Sequence, residues 1–179
     1  MGYTTTARML HWAVALLVLA MLPVGAIMVQ DGLDRALQNR LFIFHKNAGV
    51  VILVLMLIRL SWWLFNPPPR LPDTVTPLSA RLAGAAHLSL YVLVLFMAIT
   101  GYVRVTMGGF PIEGLSALGM HPLLPRNEAV AELAKSAHFY ARFALVAVIL
   151  VHVGAALMHL VIKRDGVFQR MWPPIVRRR

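Results

Sequence analysis

Three histidines in the last third of the chain, His138, His152 and His159, are spaced at multiples of seven residues. In an α-helix, 14 residues at about 100° each return to nearly the same face, roughly 21 Å further along the axis. His138 and His152 are therefore expected to present imidazole on one face at two depths, with His159 on that face again. Two haems stacked along a helix require this arrangement, because each takes one axial imidazole from that helix and another from a facing helix.

Three further histidines, His11, His45 and His87, lie in other apolar stretches and can supply the facing ligands. Depth along the helices matches His45 with His138. It matches His11 with either His152 or His87, and the residues alone leave that choice open. The expected result is two bis-histidine sites.

Other uses of these histidines fit their spread less well. A lone histidine in a bundle usually only satisfies a hydrogen bond, but that does not explain six at these depths. Tetrahedral zinc needs clustered ligands, whereas these are distributed along one axis. The chain has no cysteine, which excludes iron–sulfur clusters and covalent haem attachment. Non-covalent haem b is expected, and Gly49 and Gly154 could leave room for a flat macrocycle, although helix packing also selects small residues.

The elements that must position these histidines are apolar stretches long enough to cross a bilayer, which needs roughly 20 helical residues. Four stretches qualify: residues 10–29, 41–65, 82–103 and 137–162. With 59% apolar and 13% charged residues, the chain is suited to lipid as its solvent. The expected fold is all-α, a single integral membrane four-helix bundle over residues 1–179 with two haems b stacked along the membrane normal.

The formal net charge of +10 is interpreted as a sign of membrane topology. The basic residues lie in short segments between apolar runs and not on a soluble face that could bind nucleic acid. One end of the bundle carries both termini and ten basic residues against Asp73 and Asp165. The positive-inside rule predicts that this end is cytoplasmic. Its basic residues are Arg8, Arg59, Arg70, Arg81, Lys163, Arg164, Arg170 and Arg177 to Arg179.

Three basic residues are expected near the outer pair of histidines. Lys46 follows His45 directly, Arg142 comes four residues after His138, and Arg104 ends the third stretch on the same side. Their plain role is to neutralise haem propionates or to reach lipid headgroups. A sharper role is to steer a small anion such as superoxide towards an exposed haem edge.

Several short motifs resemble those of the prokaryotic cytochrome b561 family, and most closely those of its superoxide oxidase branch. The resemblance covers nearly the whole chain. The motifs are Leu10-His11-Trp12, Phe44-His45-Lys46-Asn47, Ala86-His87-Leu88, the histidines His138, His152 and His159, Lys163-Arg164-Asp165 and Arg170-Met171-Trp172-Pro173.

The resemblance implies an outer haem b on His45 and His138 and an inner haem b on His11 and His152. It also implies a quinone near the cytoplasmic side with His87 and His159 as its neighbours. The expected protein is a superoxide:ubiquinone oxidoreductase of the bacterial inner membrane. It would take electrons from periplasmic superoxide and pass them through the two haems to ubiquinone.

Two other functions remain compatible with the same residues. A quinol-linked di-haem carrier would use the same ligands to serve another periplasmic or membrane redox partner. A non-enzymatic bundle would use the histidines as a proton relay.

Overall fold

A computed structural model describes residues 2–72 and 75–172, and this part of the chain is helical and contains no strand. Four of its helices are long and apolar enough to cross a membrane, which confirms the predicted all-α fold. The described residues do not include Asp73 and Arg177 to Arg179, which contribute to the predicted orientation, or Pro173, which belongs to one of the family motifs. The helices are α1 (Thr5–Ile27), α2 (Arg35–Phe65), α3 (Pro77–Met107), the short α4 (Glu113–Ala117) and α5 (Glu128–Met158). A π-helix (His159–Lys163) continues α5, and a 3-10 helix (Phe168–Arg170) follows.

Each long helix begins at a side chain that caps its first turn. Thr4, Asp34, Thr76 and Asn127 each accept a hydrogen bond from the backbone N–H three residues later. Such caps satisfy N–H groups that have no partner within the helix. They define where each helix starts and thereby the depth of every histidine along it.

Three residues spaced seven apart lie along one face of each long helix, and contacts between neighbouring helices align these triplets into three layers. We name the layers outer and inner by the expected orientation, the inner layer being at the end that carries residues 2–4 and 164–172. The outer layer comprises Gly25, His45, Gly101 and His138, the middle layer Val18, Ile52, Val94 and Leu145, and the inner layer His11, Arg59, His87 and His152.

The middle layer belongs to the buried apolar core of the bundle. All four of its side chains are buried, and Val14 and Met56 complete the same cluster. Met56 is 1% exposed. Large apolar side chains elsewhere on the helices, such as Leu16, Leu57 and Leu150, are exposed and cover the surface that faces lipid.

The inner end is closed by the segment after the π-helix. Arg170 donates hydrogen bonds to the carbonyl oxygens of Pro69 and Arg70, and its own carbonyl accepts one from the backbone N–H of Tyr3. Trp12 donates from Nε1 to the carbonyl of Met171 at 2.9 Å. These bonds join the amino-terminal residues, the α2–α3 connection and the carboxyl-terminal segment beneath the inner layer.

Replacing Met56 with alanine should destabilise the bundle by about 2–3 kcal/mol, because the truncated side chain leaves a cavity in the middle layer. The neighbouring Leu57, which is 51% exposed, provides the control, and Leu57→Ala should change stability little. Thermal unfolding of the purified protein in detergent measures both. Equal losses for the two variants would mean that the middle layer is not a packed core.

Candidate functional site

In the outer layer, the rings of His45 on α2 and His138 on α5 face each other with centroids 6.3 Å apart and planes at 74°. A metal between two imidazoles lies about 2.0 Å from each nitrogen. Since each nitrogen is about 1 Å from its ring centre, two axial ligands of one iron have centroids about 6 Å apart. The separation therefore fits a shared metal ion.

His138 is oriented by a hydrogen bond that suits a metal ligand. Its Nδ1 lies 2.9 Å from the carbonyl oxygen of Met97, and because a carbonyl only accepts, Nδ1 carries the proton. The hydroxyl of Thr100 lies 3.2 Å from the same nitrogen. A backbone carbonyl that holds one ring nitrogen of a histidine fixes the tautomer and leaves Nε2 with a lone pair for metal.

Two buried nitrogens near this pair lack a hydrogen-bond partner among the described residues: Nδ1 of His45 and Nε of Arg142. Buried polar atoms are nearly always paired, so each such atom needs an explanation. The guanidinium of Arg142 is stacked over the rings of Phe139 and Phe143, at 4.0 and 4.6 Å from their centroids. A bound anionic group, such as a haem propionate or a small anion, fits this unpaired cation.

Two glycines leave space for the outer rings. A Cβ on Gly25 would lie 2.9 Å from Cε1 of His45, and a Cβ on Gly101 would lie 3.3 Å from Cε1 of His138. Both were missed by the sequence reasoning, which named Gly49 and Gly154. A Cβ on Gly154 would meet nothing within 4 Å, and one on Gly49 would meet only Met21. Gly25 and Gly101 each lie 14 residues after a histidine, His11 and His87 respectively, so the seven-residue spacing could have identified them.

The inner layer brings three imidazoles together. The rings of His11 and His152 have centroids 6.3 Å apart, the same separation as the outer pair. His87 on α3 lies beside His152 on α5, with ring centroids 5.5 Å apart. Arg59 completes the layer and lies 3.1 Å from Nδ1 of His11. His11 and His152 thus have the spacing expected of two ligands to one metal ion.

Both histidine pairs span a gap in the bundle. Close backbone contacts join α1 to α2, α2 to α3 and α3 to α5, whereas α5 forms no comparable contact with α1 or α2 in the described part of the chain. The facing imidazoles bridge this gap at two levels. The described residues contain no cluster of three or more histidines and carboxylates that could hold a metal ion. A planar macrocycle with two axial histidines fits this arrangement better than tetrahedral zinc.

His159 lies in the π-helix and does not join the inner layer through a ring contact. Its Nδ1 is 2.6 Å from Oδ2 of Asp165. Burial alone would raise the pKa of Asp165, but hydrogen bonds from the Val167 N–H and from His159 hold it below its ordinary value. His87 and His159, expected to flank a quinone, are thus found beside His152 and beside Asp165, respectively.

The α3–α5 connection folds over the outer layer and is fastened by the two residues after His45. Lys46 donates to Oε1 of Glu113 at 2.5 Å and to the carbonyl of Pro111 at 2.7 Å. The side-chain oxygen of Asn47 accepts from the N–H of Gly114 at 2.7 Å. The charge of Lys46 is therefore balanced. By contrast, Arg104 and Arg142 form no ion pair within the described residues.

Gly25→Ala should disturb the outer site, because the added methyl group forces the ring of His45 to shift. We expect reduced haem content or an altered absorption spectrum. Gly154→Ala is the matched control and should retain the wild-type spectrum. A wild-type spectrum for Gly25→Ala would contradict the close fit between Gly25 and His45.

Glu113→Gln should loosen the connection over the outer layer. Burial alone would raise the pKa of Glu113, but hydrogen bonds from Lys46 and Asn47 to its carboxylate lower this pKa from its ordinary value of 4.5. The ion pair thus stabilises the docked connection above about pH 4.5, and this contribution is lost as the pH falls through the lowered pKa.

Amide hydrogen exchange at residues 108–120 is expected to be about fivefold faster in Glu113→Gln. This factor corresponds to the loss of about 1 kcal/mol of stabilisation when the ion pair is removed. Glu128→Gln removes the exposed pair with Arg126 and should have no such effect. Equal exchange in the two variants would mean that Glu113 does not hold the connection.

Comparison with known proteins connects this geometry to one family. The profile of the family "Prokaryotic cytochrome b561" matches residues 2–174. Cytochrome b561 homolog 2 of Escherichia coli (strain K12) is 28% identical over 169 residues, which cover 94% of this chain and 90% of that protein. A probable superoxide oxidase, CybB, of Yersinia pestis is 27% identical over 168 residues, covering 92% of each chain. Cytochrome b561 homolog 1 of Escherichia coli (strain K12) is 28% identical over 131 residues, covering 72% of this chain and 73% of that protein.

The family resemblance inferred from the histidine motifs is thereby confirmed. A match across nearly the whole chain, four membrane-spanning helices and paired imidazoles agree with one another. The chain belongs to the prokaryotic cytochrome b561 family, whose members are membrane electron carriers that bind haem b.

Proposed function

We propose that this protein is a superoxide:ubiquinone oxidoreductase with two haems b. The observation that carries the proposal is the pair of facing imidazoles in each of two layers, both with centroids 6.3 Å apart. His45 and His138 would hold the outer haem, and His11 and His152 the inner one. When bound, haem b accepts and releases single electrons, which couples a one-electron donor to a two-electron acceptor.

The overall reaction balances without any further reactant. Two superoxide anions lose one electron each and leave as two molecules of O₂. A quinone takes both electrons together with two protons and becomes quinol. The protein has to attract the anion, hold the cofactors and supply the protons.

Arg104 and Arg142 are the residues best suited to attract superoxide. Both lie within electrostatic reach of His138, and neither is paired with a carboxylate in the described chain. An unbalanced positive patch raises the encounter rate with a small anion and does so less at high salt. Lys46, also considered for this role, has its charge balanced by Glu113, and we assign it to holding the connection in place.

The quinone would bind at the inner end, with His87 and His159 as its neighbours. His87 adjoins the inner pair, and His159 lies seven residues beyond His152. An imidazole can hydrogen-bond a quinone carbonyl and can also carry a proton. Under this proposal the inner layer faces the cytoplasm of a bacterial inner membrane and both termini are cytoplasmic, as the charge asymmetry predicts.

The test is anaerobic addition of superoxide to the purified protein with and without a short-chain ubiquinone. Superoxide alone should reduce both haems, and with quinone present quinol should form faster than in the uncatalysed control. His138→Ala should lose the outer haem and the activity, while His121→Ala, an exposed outer histidine, should keep both. Arg104→Gln with Arg142→Gln should weaken the salt dependence of haem reduction and lower its rate about tenfold.

Other results would select a different function. Haems that quinol reduces but superoxide does not would indicate a quinol-linked carrier, a role compatible with the b561 relatives. A colourless protein without Soret absorption would indicate the histidine proton relay. Retention of two haems in His138→Ala would overturn the ligand assignment.

A further inference from the structure

A histidine–aspartate pair lies just beyond the inner layer and has no part in holding haem under the ligand assignment above. Nδ1 of His159 is 2.6 Å from Oδ2 of Asp165, and the two side chains are 12% and 8% exposed. A surface ion pair of this type contributes little. A pair that is largely withdrawn from water has a stronger electrostatic interaction and a fixed geometry.

The local backbone is built to bring these two side chains together. Helix α5 widens into a π-helix at His159–Lys163, and single π-turns of this kind are frequently found at functional sites. Arg164 then adopts the left-handed conformation, with φ 52°, which is unusual for a residue with a side chain. The reversal folds Asp165 back onto His159, where the Val167 N–H donates to its other oxygen, Oδ1.

The carboxylate engages one edge of the imidazole and leaves the other edge for a different partner. Because Nδ1 is bonded to Asp165, the ring orientation is fixed, and Nε2 forms no hydrogen bond within the described residues. A carboxylate placed in this way on Nδ1 stabilises the imidazolium that forms when Nε2 takes a proton. His159 can then carry a proton on Nε2 and release it to an acceptor.

The other charged groups near His159 do not take the place of Asp165 as the partner of its Nδ1. Lys163 and Arg164 share the same turn, and both are exposed. On the 3-10 helix that packs against the π-helix, the guanidinium of Arg170 is bound to the carbonyls of Pro69 and Arg70. On α3, His87 contacts His152. Asp165 is the one carboxylate that contacts His159 in the described chain.

We propose that Asp165 is a positioning residue for proton delivery, holding His159 so that its imidazolium donates a proton from Nε2 to the quinone oxygen as the quinone is reduced. The proposal rests on the function proposed above and deepens it at the quinone end. Each quinol formed takes two electrons from two superoxide anions and two protons through His159. The neutral ring regains its proton from water at the inner end after each transfer.

The experiment uses the full-length, haem-loaded protein in liposomes and compares Asp165→Asn with the wild type and with Glu132→Gln. Glu132 forms an exposed pair with Lys135 at the opposite end of the bundle and serves as the matched control. Haem content and the rate at which superoxide reduces the haems without quinone should be unchanged in Asp165→Asn. The rate of quinol formation from a short-chain ubiquinone should fall about tenfold, with the alkaline limb of its pH profile displaced to lower pH.

Further variants distinguish positioning from a general loss of structure. Asp165→Glu should restore most of the rate, because it keeps the carboxylate. In a His159→Gln background, adding Asp165→Asn should cause no further loss if the two residues act as a unit. A wild-type pH profile for Asp165→Asn, or additive losses in the double variant, would overturn the proposal.

The proposal can fail separately from the superoxide function. If superoxide does not reduce the wild-type haems, the superoxide function is wrong, and quinol is then used as the electron donor. Oxidation of quinol releases the same protons, so Asp165→Asn should slow quinol-driven haem reduction with a displaced pH profile. An unchanged quinol-driven profile would overturn the role of Asp165 whatever the physiological donor is.

Discussion

The bundle depends on one constraint: a polar side chain inside a bilayer must have a partner, because lipid cannot supply a hydrogen bond or solvate a charge. Five imidazoles lie on helices that are mostly apolar, and their spacing in sevens places them in two layers above and below a buried apolar core. The same spacing provides glycine where a ring needs room. Packing, cofactor chemistry and the depth of each site are therefore consequences of a single heptad register shared by four helices.

The sequence predicted those features that depend on one helix at a time. Apolar length identified the four spans, and the 14-residue interval between His138 and His152 placed two imidazoles on one face. Counting from the helix ends matched His45 with His138, whose rings the structure places with centroids 6.3 Å apart. These inferences succeed because residues within a helix have a fixed rotation and rise.

Features that depend on contacts between elements could not be read in the same way. Gly25 has significance only once the ring of His45 is known to lie opposite. Lys46 is paired with Glu113, 67 residues further along the chain, so its charge could not be judged from its position beside His45. His159 and Asp165 meet because the backbone leaves the α-helical register after Met158, and periodicity cannot indicate where a helix changes its own period.

The middle layer has a consequence for what can move between the two ends. Val18, Ile52, Val94 and Leu145 have no group that can accept or release a proton, and Met56 fills the space among them. Electrons can tunnel through a thin apolar layer, whereas protons need a chain of polar groups or water. Under the proposed function, an electron that passed from the outer to the inner layer would therefore cross alone. Its transfer would separate charge across the membrane, and a full crossing would be coupled to the membrane potential at about 2.3 kcal/mol per charge and 100 mV.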